Sequence, residues 1–180
     1  MSIILRPGTA ADAAACGAVC YEAFKAIGTA HNFPPDFPSP QVASEILSMP
    51  LAHPGFYSVV AEDQGQIVGS NFLDERSCIA GVGPITVDPT TQNRGLGLRL
   101  MHDVLDRAAR RQKAGVRLLQ AGYHNRSLCL YTRLGFRTRE PGIDPPGQAA
   151  WAEVRGLRGP SGDGRRRGRL QPSLPAGPWI

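Results

Sequence analysis

The sequence predicts one α/β (α+β) domain, in which about four helices pack on a mixed central sheet. Short apolar, β-branched segments alternate with segments of helical periodicity, in the order β-α-α-β-β-β-α-β-α-β. A glycine-containing turn joins one of the predicted strands directly to the longest helix. From residue 141 onward Pro, Gly and Arg dominate and no periodicity is left. We therefore assign residues 3–140 to the domain and residues 141–180 to a disordered or irregular tail.

The first part of the domain is predicted to be a strand followed by two helices. Residues 3–6 are apolar and precede a Pro-Gly break. Thr9 can cap a helix that continues through the alanine-rich residues 10–27. A second helix is predicted over residues 40–49, because Ser-Pro is a common helix start.

Three strands are predicted next. Residues 56–61 and 66–73 are apolar and β-branched, and the polar residues 62–65 between them have the composition of a hairpin turn. A third strand lies over residues 79–87. The glycines and the proline within it, centred on residues 81–84, predict a bulge or a break in pairing.

The second half of the domain alternates between helix and strand. Apolar residues recur at helical spacing over residues 96–114, and residues 116–120 form the next apolar run. A helix over residues 127–134 ends at a glycine, and residues 136–138 begin a last strand. The segment 150–154 is one weak further strand in the tail.

Composition restricts the function classes. No apolar run is long enough to cross a bilayer and no secretory leader is recognisable, so we expect a cytoplasmic protein without a membrane partner. The four cysteines lack zinc-ligand spacing. Six arginines and two acidic residues follow residue 149, so residues 150–180 carry four of the five net positive charges. The domain is thus close to neutral, which argues against nucleic acid as its partner.

The segment over residues 85–97 carries the chemistry. A strand ends at Val87, and a turn containing Gly95 leads into the long helix. Such a turn directs backbone N–H groups at one point, where the helix dipole also favours negative charge. Arg94 adds a cation. The pattern predicts a pyrophosphate site, but it lacks the Gly-Lys-Ser/Thr of a P-loop, and Leu100 stands where a dinucleotide fingerprint has its third glycine.

The remaining pattern, Gln92-x-x-Gly95-x-Gly97 after a strand ending Val-Asp-Pro, resembles the acyl-CoA loop of the GNAT acetyltransferase superfamily. A second signature follows in the order that the superfamily has. Residues 126–136, with Tyr131 and a following Leu-Gly-Phe, are similar to its helix and the turn after it. The resemblance covers roughly residues 3–140 and implies the GNAT fold, in which two neighbouring strands splay apart and hold CoA in the gap.

The resemblance implies an N-acetyltransferase in which a primary amine attacks the thioester of acetyl-CoA directly, without a metal ion. It assigns Tyr131 as the acid that protonates the leaving thiolate, and a backbone N–H near Val87 as the oxyanion donor. As general base we predict Glu75, with Asp74, His124 and a chain of water molecules without a protein base as alternatives. The cofactor-binding residues that it implies are Ile85, Thr86, Val87, Gln92, Asn93, Arg94, Gly95, Leu96, Gly97, His124, Asn125 and Ser127.

Two features of the resemblance affect the site. Relatives often carry asparagine seven residues before the tyrosine, where this chain has His124 followed by Asn125. In this fold the loop between the first two helices borders the acceptor, so Phe33 and Phe37 are predicted to form its walls. A homodimer is common in the family. A non-catalytic acyl-CoA-binding module and a nucleic-acid-associated protein acting through the basic tail stay open as alternatives.

Overall fold

The computed structural model describes residues 3–139 and the backbone of residues 150–155. Within these residues the helices are α1 (Ala13–Ala30), α2 (Pro40–Ala52), α3 (Leu96–Arg110) and α4 (Asn125–Arg133). The strands are β1 (Ile4–Pro7), β2 (Phe56–Asp63), β3 (Gln66–Asp74), β4 (Ile79–Val82), β5 (Thr86–Val87), β6 (Gly115–Gln120), β7 (Arg137–Thr138) and β8 (Ala150–Arg155).

The strands form one mixed sheet in the order β1-β2-β3-β4-β6-β8-β7. Antiparallel pairing joins β1, β2, β3 and β4, whereas β4 and β6 run parallel. The connection between β4 and β6 contains α3, as a parallel crossover requires. Strand β8 inserts between β6 and β7 and is antiparallel to both.

Helices cover both faces of the sheet, because successive residues of its central strands point to opposite sides. Val59 packs in the core beneath α3, together with Leu100 and Val104 of that helix. Its neighbour Val60 faces the other side and packs with Cys16 of α1 and residues of α2. Each of these side chains is at most 1% exposed, so the sheet is buried on both faces here.

Close contact between α1 and α2 depends on Gly17. A Cβ atom at this position would lie 2.1 Å from Ser44 Oγ and 2.4 Å from Ser44 Cα. We therefore expect Gly17→Ala to lower the free energy of unfolding by about 1–3 kcal/mol through overpacking, measured by denaturant titration. Gly28→Ala in the same helix is the matched control, because its Cβ would meet nothing closer than 3.4 Å. Equal stability of both variants would contradict this account.

An ion pair fixes the start of α1 to β1. Asp12 is 8% exposed, accepts two hydrogen bonds from Arg6 at 2.9 Å each, and also accepts the N–H and hydroxyl of Thr9. The Arg6 hydrogen bonds hold the pKa of Asp12 well below its usual range, although burial opposes this.

The lowered pKa of Asp12 predicts a pH-dependent stability. A carboxylate whose pKa is depressed by folding stabilises the protein above its unfolded pKa of about 4, and this contribution is lost as the pH falls below it. We expect Asp12→Asn to cost about 2 kcal/mol at pH 7 and to flatten the acid limb of the stability curve. Asp106→Asn, on an exposed and unpaired carboxylate, should leave both the stability and the acid limb unchanged.

The predicted elements are found, with their ends shifted by a few residues. The break predicted within residues 79–87 is present as the interruption between β4 and β5. The weak strand predicted over residues 150–154 is β8, so the sheet extends beyond residue 140, where we had ended the domain. The rest of the predicted tail, including its arginine cluster, lies outside the described residues. None of the described helices is long and apolar enough to span a membrane.

Candidate active site

A gap opens in the sheet where β4 ends. β4 and β6 pair in parallel from Ile79 with Gly115 to Val82 with Leu118. The chain then turns at Gly83, whose φ is 122°, and β5 leaves β6 and pairs with β3 instead. β5 and the C-terminal end of β6 therefore diverge. The turn before α3 lies at the same end of these strands. The diverging strands are the splayed strand pair expected of the fold.

The backbone of β5 directs polar groups toward this gap. Asp88 donates its N–H to Val68 O of β3 at 2.9 Å, and Thr86 lies two residues before it in the same register. Because alternate residues of an antiparallel strand bond to the same neighbour, Thr86 and Asp88 face β3. The backbone groups of Ile85 and Val87 consequently face the gap, and Thr86 itself is buried.

The turn before α3 directs N–H groups outward. Asn93 and Gly95 both adopt left-handed conformations, with φ of 67° and 74°. The first intrahelical hydrogen bond of α3 runs from Arg99 N–H to Gly95 C=O at 3.1 Å. The N–H groups of residues 96–98 therefore have no acceptor within the helix and point away from its start, as an anion site requires.

Packing fixes the start of α3. Leu96 is 2% exposed and inserts into the core, so the first turn of the helix cannot move independently of the sheet. Gly97 lies against α4, where a Cβ atom would be 3.5 Å from Leu130. A Cβ atom at this distance would make an ordinary van der Waals contact, so the space at Gly97 does not by itself require glycine.

Arg126 joins the two sequence signatures. Its guanidinium donates to Gln92 Oε1 at 2.9 Å and to Asn93 Oδ1. Gln92 in turn donates its side-chain N–H to Val87 O at 3.0 Å, which links the turn to β5. Arg94 is exposed. Two cations therefore stand beside the free N–H groups, and neither forms an ion pair with a carboxylate in the part of the chain that the structure describes.

His124 caps the start of α4. Its Nδ1 accepts the N–H of Ser127 at 3.1 Å, and burial lowers its pKa. The neutral ring therefore carries its proton on Nε2, which lies 3.4 Å from Ser127 Oγ. In this tautomer His124 can donate a hydrogen bond through Nε2. To accept a proton at Nδ1, it would have to break the hydrogen bond from Ser127 N–H that caps the helix. Asn125 follows as the exposed first residue of the helix.

Tyr131 lies one helical turn after Ser127, on the same face of α4. It is 6% exposed and packs in the core beside Phe136, with a distance of 5.9 Å between ring centroids. Burial raises the pKa of Tyr131 to about 12, and the nearby Ser127 hydroxyl offsets part of this increase. The phenol is therefore fully protonated at neutral pH and is available as a proton donor.

Comparison with known proteins relates the domain to one family. The family model described as "Acetyltransferase (GNAT) domain" matches residues 54–138, a segment that runs from β2 to β7 and includes both signatures and the gap. Residues 54–138 are thus similar to a GNAT acetyltransferase domain. This similarity supports a CoA-dependent acyltransferase. No curated protein matches the sequence.

Solved GNAT structures share the fold. A PaiA N-acetyltransferase from Thermoplasma acidophilum in complex with coenzyme A superposes with a TM-score of 0.71 at 15% identity, covering 86% of this chain and 99% of that one. The ribosomal-protein-S18-alanine N-acetyltransferase of Escherichia coli has a TM-score of 0.66 at 18% identity, over 86% and 94%. A phosphinothricin acetyltransferase from Sinorhizobium meliloti in complex with AcCoA gives 0.64 at 20%, over 86% and 89%.

Glu75, the predicted general base, lies in the connection between β3 and β4. This connection is at the opposite end of the strands from the gap. The Glu75 carboxylate accepts two hydrogen bonds from Arg107 at 2.8 and 3.0 Å, and these lower its pKa. Asp74 lies at the same end, paired with Arg76 at 2.7 Å. Both carboxylates are thus engaged by arginines, and the role of either as the general base stays a prediction.

The two predicted acceptor residues have different surroundings. Phe37 is half-buried and packs edge-on against Phe24 of α1, with 5.4 Å between centroids, so it helps to fix the loop between α1 and α2. Phe33 is 50% exposed and stacks on Tyr123, with 4.3 Å between centroids and 15° between planes. Tyr123 belongs to the turn between β6 and α4, beside the gap. We did not predict Tyr123, because only the folded chain brings it to Phe33.

Proposed function

We propose that this chain is an N-acetyltransferase that transfers the acetyl group of acetyl-CoA to a primary amine. The observation that carries the proposal is the gap between β5 and β6, beside which the N–H groups at the start of α3 have no acceptor within the helix. The similarity of residues 54–138 to a GNAT acetyltransferase domain supports the same chemistry.

The residues around the gap fit the parts of acetyl-CoA. Its pantetheine arm contains amide groups that can pair with the backbone of Ile85 and Val87, as an added strand would. Its pyrophosphate suits the N–H groups of residues 96–98, with Arg94 and Arg126 as counter-charges. Binding the pyrophosphate would compete with the hydrogen bonds that Arg126 now donates to the turn.

The transfer is proposed to occur in one displacement on the enzyme. The neutral amine attacks the thioester carbonyl carbon, and the C–S bond breaks as the C–N bond forms. CoA leaves as the thiolate, and the nitrogen of the new amide releases its extra proton to water. The N–H of Val87 faces the gap and is the donor that we assign to the developing oxyanion. One such donor commonly contributes a few kcal/mol to the transition state.

Tyr131 is the acid that we assign to the leaving sulfur. Its pKa of about 12 exceeds that of an ordinary thiol, about 8.5, so in water the proton would stay on the phenol. Burial raises the pKa of a thiolate as well, which narrows the difference inside the site. Tyr131 therefore acts by donating a hydrogen bond that strengthens as negative charge develops on sulfur.

Amine-dependent release of CoA tests the proposal. The full chain is incubated with acetyl-CoA and a panel of primary amines, the free thiol is followed with a chromogenic disulfide, and products are identified by mass spectrometry. We expect thiol release to require both the enzyme and an amine, with acetylated amine as product. Binding of acetyl-CoA without acetylation of any amine would reject the enzyme assignment in favour of a binding module.

A further inference from the structure

Two loops meet beside the gap and bring three aromatic side chains together. One is the segment over residues 31–38 between α1 and α2, and the other is the turn between β6 and α4. Phe33 of the first loop stacks on Tyr123 of the second, and His31 also contacts this ring, with 5.4 Å between centroids. We call these two loops the aromatic mouth.

Phe33 offers a free ring face at the aromatic mouth. One face is stacked on Tyr123, yet half of the residue is exposed, so its other face is open to solvent. The loop beneath it is held in place, because Phe37 packs into the core against α1, and Phe33 N–H donates to Gly28 O at 2.9 Å. An exposed aromatic face on a fixed loop is a stacking surface for a second flat apolar group.

The charge at the mouth is acidic. Asp36 lies in the same segment and forms no ion pair within the described residues. Partial desolvation raises its pKa, and its charge in turn raises the pKa of Tyr123 and contributes to the raised pKa of Cys20 in α1. No Lys or Arg occurs in the sequence between Lys25 and Arg76, so neither this loop nor α2 provides a permanent cation.

We propose that the aromatic mouth binds the acceptor, and that the acceptor is an amine with one ammonium group, an aromatic body and no carboxylate. The inference rests on the proposed function and names its substrate class. The aromatic body stacks on the free face of Phe33, and the ammonium group faces Asp36 before the neutral amine enters the gap. The aromatic rings and the carboxylate both favour a cation at this place.

The same observations argue against two other classes of amine. An amino acid acceptor would bring a carboxylate next to Asp36, and no Lys or Arg of the segment or of α2 could pair with it. A polyamine would bring further ammonium groups, whereas Asp36 is the single carboxylate of the segment over residues 31–38. Juxtaposition of like charges is unfavourable, and an ammonium group without a carboxylate partner gains nothing from this loop.

Four probes separate these classes, with kcat/KM measured for the full chain at saturating acetyl-CoA. 2-Phenylethylamine and L-phenylalanine differ by one carboxylate, and hexylamine and spermidine represent an aliphatic monoamine and a polyamine. We expect 2-phenylethylamine to exceed each of the others by about tenfold or more. A preference for spermidine or L-phenylalanine, or equal rates for hexylamine and 2-phenylethylamine, would overturn the inference.

Variants of the mouth test the assigned residues. Phe33→Leu keeps an apolar side chain without a ring, and Asp36→Asn removes the charge at nearly the same size. We expect each to raise KM for 2-phenylethylamine about tenfold, and Phe33→Leu to leave KM for hexylamine nearly unchanged. Asp106→Asn, on the exposed face of α3, is the matched control for loss of one carboxylate.

A titration with acetyl-CoA distinguishes failure of this inference from failure of the proposed function. Wild type, Phe33→Leu and Asp36→Asn should all bind acetyl-CoA with the same Kd, because none of these changes touches the gap. Unchanged KM values in both variants would overturn the acceptor assignment while leaving acetyl transfer intact. Absence of acetyl-CoA binding by the wild type would instead reject the proposed function, and this inference with it.

Discussion

Tyr131→Phe is expected to lower kcat by about two to four orders of magnitude, the usual contribution of a positioned acid. The change removes one oxygen atom from a side chain that is otherwise packed in the core. The Kd for acetyl-CoA should stay within about twofold, because the free N–H groups and cations at the start of α3 are untouched. Steady-state kinetics with the best amine and calorimetry on the same preparation measure the two quantities.

Tyr21→Phe is the control for this experiment, since Tyr21 lies on α1, away from α4. It should behave as wild type. A Tyr131→Phe enzyme that retains full kcat would mean that the thiolate leaves without protein assistance, or that another donor serves it. In either case Tyr131 would be a packing residue of the core.

Gly95→Glu is expected to weaken acetyl-CoA binding by about a hundredfold or more, since placing like charges together costs several kcal/mol. Space does not limit the substitution, as a Cβ atom at Gly95 would meet nothing within 4 Å. The φ of 74°, however, strains any L residue with a side chain there. Strain and charge therefore have to be separated.

Gly95→Gln is the matched variant for that purpose, because glutamine imposes the same backbone strain and nearly the same bulk without the carboxylate. We expect it to lose only part of the affinity, and the difference between the Glu and Gln variants to shrink at high salt. Equal Kd values for the two variants would show that the pyrophosphate does not lie beside Gly95. Circular dichroism of both variants controls for folding.

Periodicity made most of the fold predictable. Each strand or helix turns one face to the core, and this produces a local pattern in the sequence. The apolar runs of β2 and β3 and the spacing of Leu100 and Val104 in α3 are such patterns, and they are sufficient to predict these elements. The turn before α3 was also predictable, because the conformations of Asn93 and Gly95 depend on a short stretch of chain. These features do not require knowledge of distant contacts.

Residues brought together by tertiary structure were harder to predict. Glu75 is predicted as the base from its carboxylate alone, whereas its position relative to the gap follows from the order of the strands. The connection between β3 and β4 lies at one end of the strands, and the turn after β5 lies at the opposite end. The stack of Phe33 on Tyr123 joins loops about 90 residues apart and has no sequence pattern. His124 became a helix cap through a local hydrogen bond that residue type alone does not specify.

Calorimetric titration of the full chain with acetyl-CoA tests the central claim most directly, because every step proposed here requires the thioester to lie in the gap between β5 and β6. We predict one site with a micromolar Kd, lost in Gly95→Glu. A folded chain that shows no heat of binding up to millimolar acetyl-CoA would contradict the account, and the gap would then be a feature of the fold without its usual substrate.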